Sequence, residues 1–379
     1  MNILQVLPEL NAGGVERTTI EIAQALNAAG HTPHVASLGG RLEDELKAAG
    51  GVLHRLNVGS KNPMSLRRNT KALIDIIKTD KIDIVHARSR APAWPAKAAA
   101  KATHIPFLTT YHGIYNAKSG LKRRYNAVMA KGDVVIANSN FTKRHIIREH
   151  KIDAGKIVVI PRGVDMDVFD PNLVTDAEII QIKCQWGVDS GPIILLPGRL
   201  TRWKGQLVAV DALKMLGGRG INASLVLLGD AQGRDDYVAE IKSKANSLGL
   251  SDKVILAGHS RSVPTALTAA DVVISTSTDP EAFGRVMAEA QAMQRLVVAS
   301  NHGGARETVI EGRGGRLVTP GHGQALADGI ADILGLSKSE YTKRAKAART
   351  RIGLQYSAQA MKTATLVVYE QILRKQGDN

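Results

Sequence analysis

The chain has 379 residues, of which 44% are hydrophobic, 4% aromatic and one a cysteine. That length and apolar content exclude a disordered chain and suit two domains, while the lone Cys184 excludes an internal disulfide and a thiolate metal centre and fits a reducing compartment. The net charge is +15, and residues 1 to 165 hold 25 Lys/Arg against 13 Asp/Glu, so 25 − 13 = +12 of it lies in the front half.

The opening "MNILQVLPEL" enters a strand pattern with no basic leader, and no apolar run approaches the roughly 18 residues of a membrane span. The expectation is a cytoplasmic protein whose only membrane contact is peripheral, on the inner face. A strand "NILQVL" is followed by a helix from Val15 to Ala28 and a strand "HVASL". Further strands are expected at Ile82 to His86, Pro106 to Tyr111, Val134 to Asn138 and Ile157 to Pro161. After a polar joint near 165 to 175 the rhythm restarts, with strands at Ile193 to Pro197, Ala223 to Leu228, Val254 to Ala257, Val272 to Ser275 and Leu296 to Ala299. Strand–helix alternation of this kind predicts an α/β fold of two doubly wound parallel sheets, residues 1–165 and 166–354. The tail, about 355–379, reads as a closing helix that packs back on the front domain.

In such sheets ligands bind at the rim beyond the strand C-termini, and three stretches on that rim can carry chemistry. In "LNAGGVERTTIEIAQAL", Gly13 and Gly14 permit close backbone approach at a helix start, but the dinucleotide fingerprint G-x-G-x-x-G is absent. In "LLPGRLTRWKG", residues 195 to 205, Arg199 and Lys204 bracket a tight connection where two cations can converge on phosphate. In "DPEAFGRVMAEAQAM", residues 279 to 293, Gly284 opens a helix whose unpaired N–H groups suit an anion. Glu289 lies eight positions after Glu281. One regular helix would set them about 80° apart, so Glu281 is placed in the loop and Glu289 within the helix. The structural alternatives are a Glu281 that merely complements the helix dipole and a solvated Glu289.

Together with "GGVE", "YHG" at 111 to 113, "ANSNFT" at 137 to 142, "PRGVD" at 161 to 165, "LLGD" at 227 to 230, "AGH" at 257 to 259 and "GGARE" after the second acid, these stretches resemble the retaining glycosyltransferases of family 4 over residues 1 to about 310. The resemblance implies the GT-B architecture, two facing Rossmann-like domains with a crevice between them, and a nucleotide diphosphate sugar as donor. It implies that Arg199 and Lys204 hold the diphosphate, Glu289 the ribose, and the backbone around Gly258 and His259 the base. Glu281 would touch the donor sugar, with the amides of Phe283, Gly284 and Arg285 nearby. Gly14 would approach the phosphates or acceptor, and His112 would sit beside the reacting sugar, unless it is a turn histidine bonded to backbone. Transfer would proceed with retention, the leaving diphosphate taking the acceptor's proton. No cofactor or metal is expected: "DMD" at 165 to 167 has Asp-x-Asp spacing, but it falls in the interdomain joint of the family. The sequence departs from the family at Arg162, where Asn is usual, and at Gln294 and Leu296, where Gly and Pro are common.

The front half's charge suits nucleic acid, an anionic membrane or an acidic substrate. The scarcity of aromatic residues and the lack of a nucleic-acid-binding motif disfavour nucleic acid as a partner. His86, Arg88 and Arg90 on the rim, and Lys118, Lys122, Arg123 and Arg124 beyond the His112 loop, are therefore expected to meet an acidic or lipid-linked glycan acceptor, such as a lipopolysaccharide core precursor, and anionic headgroups. The alternative functions are a sugar-nucleotide epimerase or phosphorylase on the same scaffold, or a non-catalytic nucleotide-binding protein.

Overall fold

The computed structural model describes the chain except for residue 12, residues 116–118, residue 261 and residues 378–379. It divides into two compact units, one formed by Met1–Gly163 with Ala358–Asn379 and one by Val164–Ser357.

The first unit holds seven strands: β1 (Asn2–Val6), β2 (Thr32–Ser37), β3 (Val52–Arg55), β4 (Ile84–Ala87), β5 (Phe107–Tyr111), β6 (Val134–Ala137) and β7 (Ile157–Val159). All pair in parallel, in the order β3-β2-β1-β4-β5-β6-β7. Successive strand residues face opposite layers. Leu4, Val85, Phe107 and Val135 pack on one face with Leu73, Ala93 and Ala96 from the Pro63–Thr79 and Arg90–Thr103 helices. Their chain neighbours Ile3, Ile84, Leu108 and Ile136 pack on the other with Ile22 and Leu26 of the Gly14–Ala28 helix. That second layer is completed from the far end of the chain, where the Ala358–Gly377 helix supplies Met361, Val368, Tyr369 and Ile372.

The second unit holds six strands: β8 (Ile193–Pro197), β9 (Ser224–Leu228), β10 (Val254–Gly258), β11 (Val272–Ser275), β12 (Val297–Ser300) and β13 (Gly315–Val318). These too are parallel, in the order β10-β9-β8-β11-β12-β13. The same alternation sorts Ile193, Leu195 and Val273 to one buried face, and Ile194, Leu196 and Val272 to the other. The chain enters this unit at Val164 and leaves it at Ser357. There the Val164 amide donates to the Tyr356 carbonyl at 2.7 Å, and Val164 and Ser357 form a parallel bridge.

The doubly wound pair of sheets is as expected, with two strands added. β3 and β13 were not foreseen, and each is one edge of its sheet. Among the described residues no helix is long and apolar enough to cross a membrane.

Candidate active site

In the second unit, two loops leave the strand ends of β8 and β11 and are fastened to each other. After β8 the chain makes a tight turn at Arg202–Lys204 and reaches Gly205 at φ 71°. A side chain there would be strained and would overlap the Thr276 carbonyl. Thr276 Oγ1 donates to the Lys204 carbonyl at 2.8 Å, and the Thr278 amide donates to the Trp203 carbonyl at 2.7 Å. The Lys204 stem lies against Gly198, and its ammonium sits 4.6 Å from the centre of the Trp203 ring.

That ammonium donates to Glu281 Oε1 at 2.7 Å, with both side chains largely buried. Ser277 and Ser275 also donate hydroxyls to this carboxylate oxygen. Burial pushes the Glu281 pKa up, but the Lys204 charge and the hydroxyl bonds outweigh it and hold the group below the usual carboxylate range. Glu281 is therefore ionised and acts only as a hydrogen-bond acceptor.

The Glu281–Phe283 backbone is braced from behind by the "GGARE" stretch. The Gly304 amide donates to the Glu281 carbonyl at 2.7 Å. A side chain at Gly303 would strike that carbonyl, and one at Gly304 would strike the Phe283 backbone. Phe283 is buried against Tyr356, with ring centres 5.6 Å apart. Gly284, at φ 86°, opens the Arg285–Ala292 helix. Glu289, one turn in, is buried and accepts from Arg285 Nε at 2.6 Å. The solvated alternative for Glu289 does not hold.

Arg199 is exposed just beyond β8, next to the glycine on which Lys204 lies. Gly258 ends β10 at φ 66°. His259 lines a cleft of about 460 Å³ with Gln181, Trp186, Ala257 and Ser260. Ser275, Ser277 and Gly303–Gly304 were not singled out from sequence, nor was His302, whose two ring nitrogens are buried without a hydrogen-bond partner. Only the motif position of "GGARE" beside the acids hinted at them.

In the first unit, Gly14 starts the Gly14–Ala28 helix, and the Arg162 guanidinium lies so close that a side chain at 14 would overlap it. Arg162 and Asn138 both donate to the His112 carbonyl, at 3.4 and 3.2 Å. The His112 ring nitrogens are buried without a hydrogen-bond partner. Burial first, then the charges of Arg162 and Arg88, push its pKa well below the ordinary histidine value. The imidazole is neutral and retains both a donor and an acceptor for use.

Two acceptor residues expected on the rim are instead interior. His86 is fully buried on a central strand with both ring nitrogens engaged, by Tyr369 Oη and Thr110 Oγ1 at 2.7 Å each. Arg88 is 3% exposed and donates through Nε and Nη2 to Gln5 of β1. Both follow from a parallel sheet covered on its two faces, whose central strand ends stay inside. Arg90 is partly buried, bonds Asn126 at 3.0 Å and stacks 4.4 Å over the Tyr115 ring. Lys122, Arg123 and Arg124 are exposed on the Gly120–Asn126 helix, with Arg123 paired to Glu149. Lys118 lies outside the described residues. Asp165 of "DMD" accepts the amides of Asp167 and Val168, closing a turn.

Two doubly wound parallel sheets, one in each unit, are the architecture of the GT-B class of glycosyltransferases. Residues 12–168 match the family model Glycosyltransferase Family 4, and residues 180–351 match the model Glycosyl transferases group 1. The D-inositol 3-phosphate glycosyltransferase of Xylanimonas cellulosilytica is 32% identical over 77% of this chain and 73% of its own length. The crystal structure of a glycosyltransferase from Rickettsia africae superposes with a TM-score of 0.91 at 41% identity, covering 98% of both chains. Anabaena Alr3699/HepE, solved in complex with UDP and glucose, superposes at 0.83 with 26% identity, covering 98% of this chain and 99% of that one. The chain belongs to glycosyltransferase family 4, and it is a glycosyltransferase.

Proposed function

We propose that the enzyme takes a hexosyl group from a nucleotide diphosphate sugar and passes it, with retention and without a metal, to an acidic or lipid-linked glycan acceptor. The buried Lys204–Glu281 pair at the mouth of the Arg285–Ala292 helix carries the donor half of this reading. Lys204 and Arg199 neutralise the charge that grows on the departing diphosphate, and the helix amides add to them. The ionised Glu281 accepts hydrogen bonds from the sugar, the backbone of Phe283, Gly284 and Arg285 lies alongside, Glu289 takes the ribose, and the His259 cleft receives the base. On the first unit Gly14 offers backbone to phosphate, and the neutral His112 bonds a hydroxyl of the reacting sugar. The diphosphate oxygen accepts the acceptor's proton, so no protein nucleophile is needed. The complex of Anabaena Alr3699/HepE with UDP and glucose supports a nucleotide-sugar donor.

The acidic acceptor rests on the +12 of the front half and on the relative named for inositol 3-phosphate. Exposed Leu121 beside Lys122, Arg123 and Arg124 supports the lipid-linked form, in which a cell-envelope glycan such as the lipopolysaccharide core is met at an anionic inner-membrane surface. Thermal melts with UDP, GDP, ADP and their common sugars, in metal-free buffer, test the donor half. A concentration-dependent rise with one base is expected, and no rise with any of them removes the donor assignment. Turnover that is the same with magnesium or manganese added or withheld is expected of a metal-independent site.

A further inference from the structure

Away from the transferase residues, the edge of the first unit's sheet gathers three metal-ligating side chains. In the parallel pairing of β2 with β3, His34 lies opposite Val52 and Ala36 opposite His54. The two histidines therefore stand diagonally on one face of the sheet. Their rings are 5.3 Å apart between centres and inclined by 17°. His34 Nδ1 lies 3.0 Å from His54 Nε2. Asp80, which closes the Pro63–Thr79 helix, brings Oδ2 within 3.9 Å of the same His54 nitrogen. Ligand atoms of all three lie within 4.8 Å of one another, and among the described residues no other three His, Cys, Asp or Glu side chains gather in this way.

Two nitrogens in such contact can share one proton, but 3.9 Å is too long for a hydrogen bond from His54 to Asp80. A zinc ion about 2.0–2.2 Å from tetrahedral N and O ligands holds them roughly 3.3 Å apart. That spacing falls between the two observed separations.

We propose that His34, His54 and Asp80 bind one late first-row divalent cation, zinc being the type case, with water in the fourth position. Two imidazoles and one carboxylate suit zinc, nickel or copper rather than magnesium or calcium. His54 and Asp80 keep 17% and 30% of their side chains exposed, which leaves a route for the ion and its water. The ion fastens the edge strand β3 to the end of a helix and takes no part in glycosyl transfer.

The test is calorimetric titration of Zn(II) into untagged protein stripped with chelator and dialysed, alongside thermal melts. One equivalent bound and a saturable rise in Tm are expected. His54→Ala and Asp80→Asn should each weaken binding about 10- to 100-fold or more, with unchanged far-UV circular dichroism. Co(II) should give a visible absorption band that is lost with His54→Ala. If His54→Ala fails to fold, the partly exposed Asp80→Asn decides by the same criterion. No calorimetric binding, a zinc affinity unchanged in the folded variants, or a Tm response to magnesium equal to that for zinc would overturn the proposal.

Discussion

At the scale of single residues, charge state is set by burial and one or two neighbours. The folded-state pKa of Glu281 is depressed, so the pair stabilises the fold fully above the unfolded carboxylate range and loses its effect as pH falls through the folded value. Glu281→Gln should therefore melt below the wild type at pH 7, by about 3 kcal/mol for an ammonium left buried without its partner. The gap should close on acidification, and a gap that stays constant from pH 7 to pH 3 would contradict the ionised pair. Lys204→Met should lower kcat about 100- to 1,000-fold, the usual effect of removing one group that stabilises charge in the transition state. Steady-state kinetics with saturating donor will show it. Because His112 is held neutral, the kcat profile should have no limb near the ordinary histidine pKa that disappears in His112→Asn. The acids and cations of the donor loops were legible because their residue types and order are distinctive. His86 was misjudged, since sequence shows where a strand ends but not that a helix almost 300 positions later supplies Tyr369 to cover it.

At the scale of elements, most strands announced themselves by continuous apolar runs, the edges β7 and β10 included, whereas the edges β3 and β13 did not. β3 reads "VLHR" and β13 reads "GRLV", four residues each that mix charged or polar with apolar side chains, so neither offers an apolar run to recognise. The glycines of "GGARE" were visible as letters, yet their reason is a loop-to-loop contact that spacing cannot show. Gly304→Ala forces a methyl group into the Phe283 backbone. It should shift the Glu281 loop, raising the donor KM and lowering Tm by several degrees, at roughly 2–4 °C per kcal/mol for a chain of this size. Donor titration and a melt on the same variant will separate it from a neutral change.

At the scale of the whole molecule, the +12 of the front half was legible by counting, while the ordering of its charges was not. Arg88 and Arg162 are structural neighbours of His112, and Arg90 is tied to Asn126 and Tyr115. Lys122, Arg123 and Arg124 remain exposed. Reversing Lys122 and Arg124 to Glu should abolish sedimentation with anionic vesicles at low salt while leaving the melt unchanged, and undiminished sedimentation would remove the membrane surface from the proposed function. The first unit is also discontinuous: Met361, Val368, Tyr369 and Ile372 complete a core begun by Ile3 and Ile22. Domains ordinarily fold in the order in which the ribosome delivers them. Here the second unit is finished by Ser357 while the first still lacks a wall. Synthesis in chain order therefore delivers every residue of the second unit before the Ala358–Gly377 helix that covers the first unit's apolar face.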